Sequence, residues 1–143
     1  MCFFHDGDCE FVLDREVRAR KPHRCEECSR GVRVGETYTR TSGKFEGEIF
    51  WYATCARCEA MRVLVHEYEL ARGCAWSESW PPSGCLTDAL ADYRREHGEW
   101  AADDETWTSV WPDGLPDDVA AVAALGEALR AKFPALAWKA VAA

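Results

Sequence analysis

Hydrophobic and glycine positions in the first half of the chain predict β-structure. Residues 32–52 form a run rich in β-branched and aromatic side chains, interrupted at Gly35, Gly43 and Gly47. Runs of this kind, bounded by glycines, are typical of short strands joined by turns. The pattern therefore predicts a β-hairpin or a short meander between residues 32 and 52.

Three later stretches repeat hydrophobic residues at intervals of three and four, which is typical of amphipathic helices. The first predicts a helix over about Ala56–Ala71, with Gly73 just beyond its end. The second predicts a helix over 86–97, and the third predicts one that begins near Val119 and ends before Pro134. Strands followed by helices indicate an α+β fold.

Size and composition favour a single small protein of the cytoplasm. The chain has 143 residues, of which 48% are hydrophobic, and this is enough to build a core. No apolar run approaches the roughly 18 residues that cross a bilayer, so we expect no membrane partner. The first residues lack the basic start and apolar stretch of a signal peptide, and cysteines in the cytoplasm are kept reduced.

Charge divides the chain into two unlike parts. Residues 1–63 hold 11 basic and 11 acidic residues, whereas residues 64–143 hold 6 and 14, so the net charge of −8 lies entirely in the second part. Within the first part, residues 15–44 carry nine basic and four acidic residues. This basic stretch could contact phosphate groups, or it could be an ordinary solvated surface, because the pI of 5.0 is low for a nucleic-acid binder.

Four of the eight cysteines have the spacing of a metal site. Cys25 and Cys28 form one C-x2-C pair, and Cys55 and Cys58 form a second after 26 intervening residues. Each pair lets one tight turn present two thiolates, and two such pairs complete the tetrahedral sulfur set that suits Zn2+. Disulfides or redox dithiols are the competing interpretation, but a redox C-x-x-C is not duplicated in this way.

The elements around these cysteines follow the order of a treble clef, which is a cysteine knuckle, a β-hairpin and then a helix. In that fold the last two ligands, Cys55 and Cys58, lie at the first turn of the helix, where free N–H groups favour thiolate. The expected cofactor is one structural Zn2+ in a closed site with no position for a catalytic water.

The remaining cysteines, Cys2, Cys9, Cys74 and Cys85, flank this module on both sides. They could form a second zinc site, with His5 and His66 as substitute ligands. Their spacings are not those of knuckles, so buried or free thiols and a disulfide remain open alternatives.

Further motifs accompany the two knuckles. They are Arg20-Lys21-Pro22-His23-Arg24-Cys25-Glu26-Glu27-Cys28, Gly35-Glu36-Thr37-Tyr38 and Thr54-Cys55-Ala56-Arg57-Cys58. Over about residues 18–65, this combination resembles small phage- and prophage-encoded zinc-ribbon proteins with a treble-clef-like pattern. The resemblance implies a zinc-ribbon or treble-clef fold and an origin in mobile genetic elements, and it implies no particular activity.

The sequence predicts two regions, a zinc module over 1–72 and an acidic, tryptophan-rich helical extension over 73–143 that packs on it. Five tryptophans lie between residues 76 and 111. They could be binding anchors, because tryptophan is enriched at interaction hot spots, or they could wrap a thin domain as core.

An enzyme is the class of function that the sequence supports least. The four histidines are scattered without a catalytic motif, and the chain contains no Asn. The run Asp103-Asp104-Glu105 could bind a divalent cation, although three adjacent acids are more typical of a solvated face.

The preferred hypothesis is a non-enzymatic protein that binds a host protein with a basic surface, such as a defence or transcription protein, and inhibits or modulates it. The residues expected to contact this partner belong to the acidic half and are Trp100, Trp107, Trp111, Asp103, Asp104 and Glu105. The alternative is a nucleic-acid-binding zinc module that uses the basic stretch. Its expected contacts are Arg24, Arg30, Arg33, Arg40 and Lys44.

Overall fold

The computed structural model describes residues 9–73, 85–100, 111–112 and 114–138. In chain order, its elements are β1 (Cys9–Arg18), β2 (His23–Arg24), β3 (Gly31–Val32), β4 (Thr37–Phe45), β5 (Glu48–Cys55), α1 (Ala56–Ala71), α2 (Leu86–Trp100) and α3 (Val119–Lys132). The fold is α+β, as the sequence predicts. Residues 103–105 and 107 lie outside the described residues, as do Cys2, His5 and Cys74.

A three-stranded antiparallel sheet in the order β1-β4-β5 forms the first part of the structure. The predicted hairpin is β4–β5, closed by the two residues Glu46 and Gly47, whose φ angles are 48° and 85°. Two successive positive φ angles give a turn whose twist matches that of paired strands, and glycine adopts them without steric cost. Strand β1 was not predicted from the sequence.

The first knuckle is held by a second, two-stranded sheet. Strands β2 and β3 pair antiparallel on either side of the turn that carries Cys25 and Cys28. This small unit joins the main sheet through a bridge between Cys25 and Ala53 of β5. The first cysteine pair is therefore placed beside the end of β5, where the second pair begins.

Helix α1 has the predicted limits and follows β5 without a loop. It contacts the sheet through β4 and β5, and it also contacts α2 and α3. Its buried face includes Met61, Leu64, Val65 and Tyr68. Since all helices contact α1, one hydrophobic core extends from the sheet to α3.

Aromatic rings surround Tyr68 of α1. The rings of Trp111, Tyr93 and Phe133 lie 5.0, 5.8 and 6.0 Å from the Tyr68 ring, and the Trp111 ring stacks on Tyr93 at 4.9 Å. The Trp138 ring lies 6.0 Å away on another side. This aromatic cluster buries large surfaces from α2, α3 and the flanking segments against α1.

An ion pair and a capped end hold α3 in place. Arg130 of α3 donates to Glu67 of α1 at 2.5 Å. The Asp118 side chain accepts from the Ala121 N–H at 2.8 Å and satisfies a free donor of the first turn. No described helix is both long and apolar enough to cross a membrane.

Candidate functional site

The two C-x2-C pairs come together at the junction of the sheet and α1. Cys25 and Cys28 lie in the turn after β2, Cys55 is the last residue of β5, and Cys58 lies in the first turn of α1. All four sulfur atoms lie within 4.8 Å of one another. These four cysteines could therefore hold one metal ion, as their spacing predicts.

Backbone hydrogen bonds shape the first knuckle. The Ser29 N–H donates to the Cys25 carbonyl at 2.9 Å, and the Cys25 N–H donates to the Arg30 carbonyl at 2.8 Å. Ser29 has a φ of 59°, which lets the chain reverse direction just after Cys28. The Cys55 N–H donates to Cys25 Sγ at 3.3 Å, a contact that links the two knuckles directly.

The sulfur positions fit a tetrahedral metal ion. With Zn–S bonds of about 2.3 Å, sulfur atoms at the corners of a tetrahedron lie about 3.8 Å apart. Cys28 Sγ and Cys55 Sγ are 3.8 Å apart. Cys25, Cys55 and Cys58 are buried and Cys28 is half-buried, so an ion bound here would be coordinated by sulfur and shielded from water.

Hydrogen bonds within the cluster shift the pKa values of Cys25, Cys55 and Cys58. A hydrogen bond with Cys55 raises the pKa of Cys25 to about 11, while hydrogen bonds from Cys25 and Cys58 lower the pKa of Cys55. The hydrogen bonds with Cys25 and Cys55 also raise the pKa of Cys58. Without a cation, these hydrogen bonds favour the thiolate form at Cys55 and disfavour it at Cys25 and Cys58. A divalent cation at the centre of the cluster would favour thiolate at every ligand.

Arg57 places a positive charge beside this cluster. Burial lowers its pKa, but contacts with Cys28 and Cys58 outweigh burial and raise it. Four thiolates around a divalent ion leave a net charge of −2, and a guanidinium next to two of the sulfurs offsets part of that charge.

Glu27, which lies between the two cysteines of the first knuckle, connects the site to α2. Its carboxylate accepts the Leu86 N–H at 3.0 Å and lies 3.8 Å from the Arg62 guanidinium. The Glu27 side chain has no exposed surface. This role was not predicted from the sequence, because a glutamate between two cysteines carries no signal for a partner 59 residues away.

The structure does not bring the outer four cysteines together within the described residues. The side chain of Cys9, the first residue of β1, is not among those described. Cys85 is buried and forms a disulfide whose partner lies outside the described side chains. A sulfur held in a disulfide is not available as a thiolate ligand, so in this structure Cys85 is not free to join a second zinc site.

The structure corrects the role predicted for Trp111. Its side chain is only 3% exposed and packs between Tyr68 and Tyr93 in the aromatic cluster. A buried ring cannot contact a partner, so Trp111 belongs to the core. Trp100 ends α2 and its side chain is not described, while Trp107, Asp103, Asp104 and Glu105 lie outside the described residues.

Of the five basic residues predicted to contact nucleic acid, two lie on the main sheet, two lie around the first knuckle and one lies between β3 and β4. Arg40 and Lys44 lie on β4, on the same sheet face as Arg15 of β1. Arg24 and Arg30 lie around the first knuckle, where Arg24 donates to the Ser29 carbonyl at 3.1 Å and Arg30 pairs with Glu36 at 3.2 Å. The last of the five, Arg33, is exposed in the segment between β3 and β4.

Strand register separates positive and negative charge onto opposite faces of the sheet, because paired residues share a face and successive residues alternate. One face carries Val17, Tyr38, Ala53 and Cys55 at one end. The rest of that face, called here the basic sheet face, consists of Phe11, Leu13, Arg15, Arg40, Ser42, Lys44, Ile49 and Trp51. The other face carries Asp14, Glu16 and Glu48, with Arg18 at its end. Among the strand residues whose side chains the structure describes, the basic sheet face thus holds three basic residues and no carboxylate.

Comparisons of this chain with protein families, with curated proteins and with solved structures found no match.

Proposed function

We propose that this protein is a non-enzymatic, zinc-stabilised nucleic-acid-binding module with a treble-clef arrangement at its centre. Cys25, Cys28, Cys55 and Cys58 would hold the structural Zn2+. The knuckle of β2–β3, the hairpin β4–β5 and the start of α1 occur in the order that a treble clef requires. Four sulfur ligands leave no coordination position for a reacting water, which favours a structural role for the ion.

The observation that carries the nucleic-acid proposal is the separation of charge between the two sheet faces. Arg15 and Arg40 are directly paired across β1 and β4, and Lys44 lies four residues further along β4. From strand geometry, these charges extend about 5 Å across the sheet and about 13 Å along it. A positive surface of this length can contact more than one phosphate of a polyanion.

Exposed apolar and aromatic side chains lie between these charges. Phe11, Leu13, Ile49 and Trp51 are 45%, 47%, 79% and 48% exposed. Phosphate-binding charge combined with exposed rings is typical of surfaces that bind nucleic acid through both backbone and bases.

Binding of a host protein through the acidic half stays a prediction. Trp111, one of the six residues expected to contact that protein, is buried in the core. Four of the other five, Asp103, Asp104, Glu105 and Trp107, lie outside the described residues. The residues that the structure describes favour the basic sheet face as the binding surface.

The direct test is fluorescence anisotropy with a labelled oligonucleotide at several salt concentrations. If three cations neutralise three phosphates of a single strand, log Kobs should fall against log[salt] with a slope of about −2. The double variant Arg15→Glu/Arg40→Glu should abolish binding and should retain the zinc content and circular dichroism of the wild-type protein.

Arg95→Glu is the matched control, because it makes the same charge change on α2, where Arg95 is exposed and pairs only with Asp92 among the described residues. This variant should bind as the wild type does. Binding that is independent of salt, or equal loss in the control and the double variant, would reject the basic sheet face as a nucleic-acid site.

A further inference from the structure

Trp51 is the aromatic residue of the basic sheet face with the geometry of a stacking platform. It lies on β5, an edge strand of the sheet, and its side chain is 48% exposed. The Arg40 guanidinium lies over the Trp51 ring, 5.1 Å from the ring centroid. An exposed indole with a cation next to it presents both a surface for stacking and a charge for a phosphate.

Neighbouring rings fix the orientation of this indole. The His23 ring meets the Trp51 ring edge-on at 5.8 Å. His23 is itself held by Tyr38, whose ring centroid lies 4.9 Å away and whose hydroxyl lies 3.4 Å from His23 Nε2. Since Tyr38 is buried, the support for Trp51 reaches into the core, and little conformational freedom would be lost on binding.

The row of the sheet that contains Trp51 carries no charged residue. Trp51 pairs with Ser42, which pairs in turn with Leu13 of β1. Arg15 and Arg40 lie in the next same-face row on one side, and Lys44 lies in the next row on the other. Because the Arg40 guanidinium covers one face of the Trp51 ring, a base would stack on the other face while its backbone runs past the cations.

We propose that the basic sheet face binds a single-stranded nucleic acid, with one unpaired base stacked on Trp51 and the phosphates contacted by Arg15, Arg40 and Lys44. This inference rests on the proposed function and narrows it to a class of nucleic acid. Stacking on Trp51 requires access to the flat face of a base, whereas phosphate binding does not.

That requirement excludes a regular duplex as the preferred ligand. In a duplex each base is stacked on both sides, so an indole on a sheet can reach only backbone and groove edges. Unpaired bases expose their faces and stack on aromatic side chains, and sheet surfaces that bind RNA use aromatic residues in this way. An acidic peptide would match the charge of Arg15 and Arg40 but would gain nothing from the exposed ring.

The experiment compares a labelled deoxythymidine strand, a uridine strand of the same length and a duplex of that length, using zinc-loaded full-length protein. The wild-type protein should bind both single strands more tightly than the duplex. Comparison of the deoxythymidine and uridine strands then shows whether the 2′-hydroxyl contributes.

Trp51→Leu should weaken single-strand binding roughly 5- to 150-fold, the cost of losing one base–aromatic stack. The salt slope should stay unchanged, because no phosphate contact is removed. Arg40→Ala should instead reduce the magnitude of the slope by about 0.7. Trp51→Tyr, which keeps a ring, should recover part of the affinity and leave the salt slope unchanged. If Trp51 had only a structural role, this combination of results would not be expected.

Two results would overturn the inference in distinguishable ways. If the duplex binds as tightly as the single strands, the stacking proposal fails and the proposed nucleic-acid function stands. If no nucleic acid binds while poly-glutamate does, both proposals fail. The wild-type comparison requires no variant, so it decides between these results even if Trp51→Leu does not fold.

Discussion

At the scale of single residues, function and packing compete for the same side-chain types in this protein. Trp51 and Trp111 are chemically identical, yet one is half exposed on the sheet and the other is 3% exposed in the core. A sequence pattern cannot separate them, because an indole suits a binding site and a core equally well. The difference is set by what packs beside each ring.

Gly43 lies where the Phe50 ring and the backbone of β1 come too close to leave room for a side chain. A Cβ placed there would lie 2.5 Å from Phe50 Cζ and 2.6 Å from the Phe11 carbonyl oxygen. Since the second atom belongs to the backbone of β1, the sheet itself would have to move. Gly43→Ala should therefore lower the free energy of unfolding by roughly 1–3 kcal/mol, as measured by urea denaturation.

Gly31→Ala is the matched control for this prediction. Gly31 also lies in a strand, and a Cβ there would meet nothing within 4 Å. This variant should keep the wild-type denaturation midpoint. Equal midpoints for the two variants would show that the β1–β4 approach tolerates a methyl group.

At the scale of elements, a hydrogen bond links the cysteine cluster to the second half of the chain. The first knuckle carries Glu27, and Glu27 accepts the N–H of Leu86, the first residue of α2. Free N–H groups at a helix start favour a carboxylate, both through hydrogen bonding and through the helix dipole. The knuckle therefore helps to position a helix that the sequence assigns to another region.

Glu27→Ala should reduce stability by roughly 1–3 kcal/mol, because a buried N–H loses its charged acceptor. Zinc content should remain at the wild-type value, since no ligand is changed. Urea denaturation with parallel elemental analysis measures both quantities.

Glu26→Ala supplies the comparison, since Glu26 lies between the same two cysteines and is exposed. Its effect should stay within about 0.5 kcal/mol. If the two alanine variants lose the same stability, the contact between Glu27 and α2 is not energetically important.

At the scale of the whole molecule, the four-cysteine cluster closes a small fold. It joins the β2–β3 knuckle to the continuous segment in which β5 ends and α1 begins, so two stretches of chain that are distant in sequence meet at one point. Structural zinc sites in small domains contribute folding free energy directly, about 10–16 kcal/mol in zinc-finger peptides. Loss of the ion should therefore affect the entire structure.

Elemental analysis should find one zinc bound by these cysteines, and chelation should unfold the sheet and α1 together, as followed by circular dichroism. Acidification should have the same effect, because protons compete with the metal for the thiolates and stability falls as pH falls. Cys28→Ser should release zinc more readily than the wild-type protein. Native circular dichroism after complete zinc removal would contradict a structural role for the ion.

A second zinc per chain would have a different meaning. It would require ligands outside the cysteines that the structure brings together, among them Cys2, Cys9 and Cys74.

The sequence by itself determined the helices and the four cysteines that could hold a metal ion. The limits of α1 could be predicted because the helix buries a regular stripe and ends just before Gly73. The four cysteines could be predicted because each C-x2-C pair places two sulfur atoms close enough in sequence to chelate one ion. Strand β1 could not be predicted, because most of its side chains are exposed on both faces and no alternation of burial marks it.

Only the tertiary structure decided which charges act together. The nine basic residues of the stretch 15–44 look equivalent along the chain, but strand register places Arg15 beside Arg40 and leaves Arg30 paired with Glu36. It likewise placed Trp111 in the core and Trp51 on the surface. Burial and cross-strand pairing depend on contacts between residues distant in sequence, and local periodicity does not contain that information.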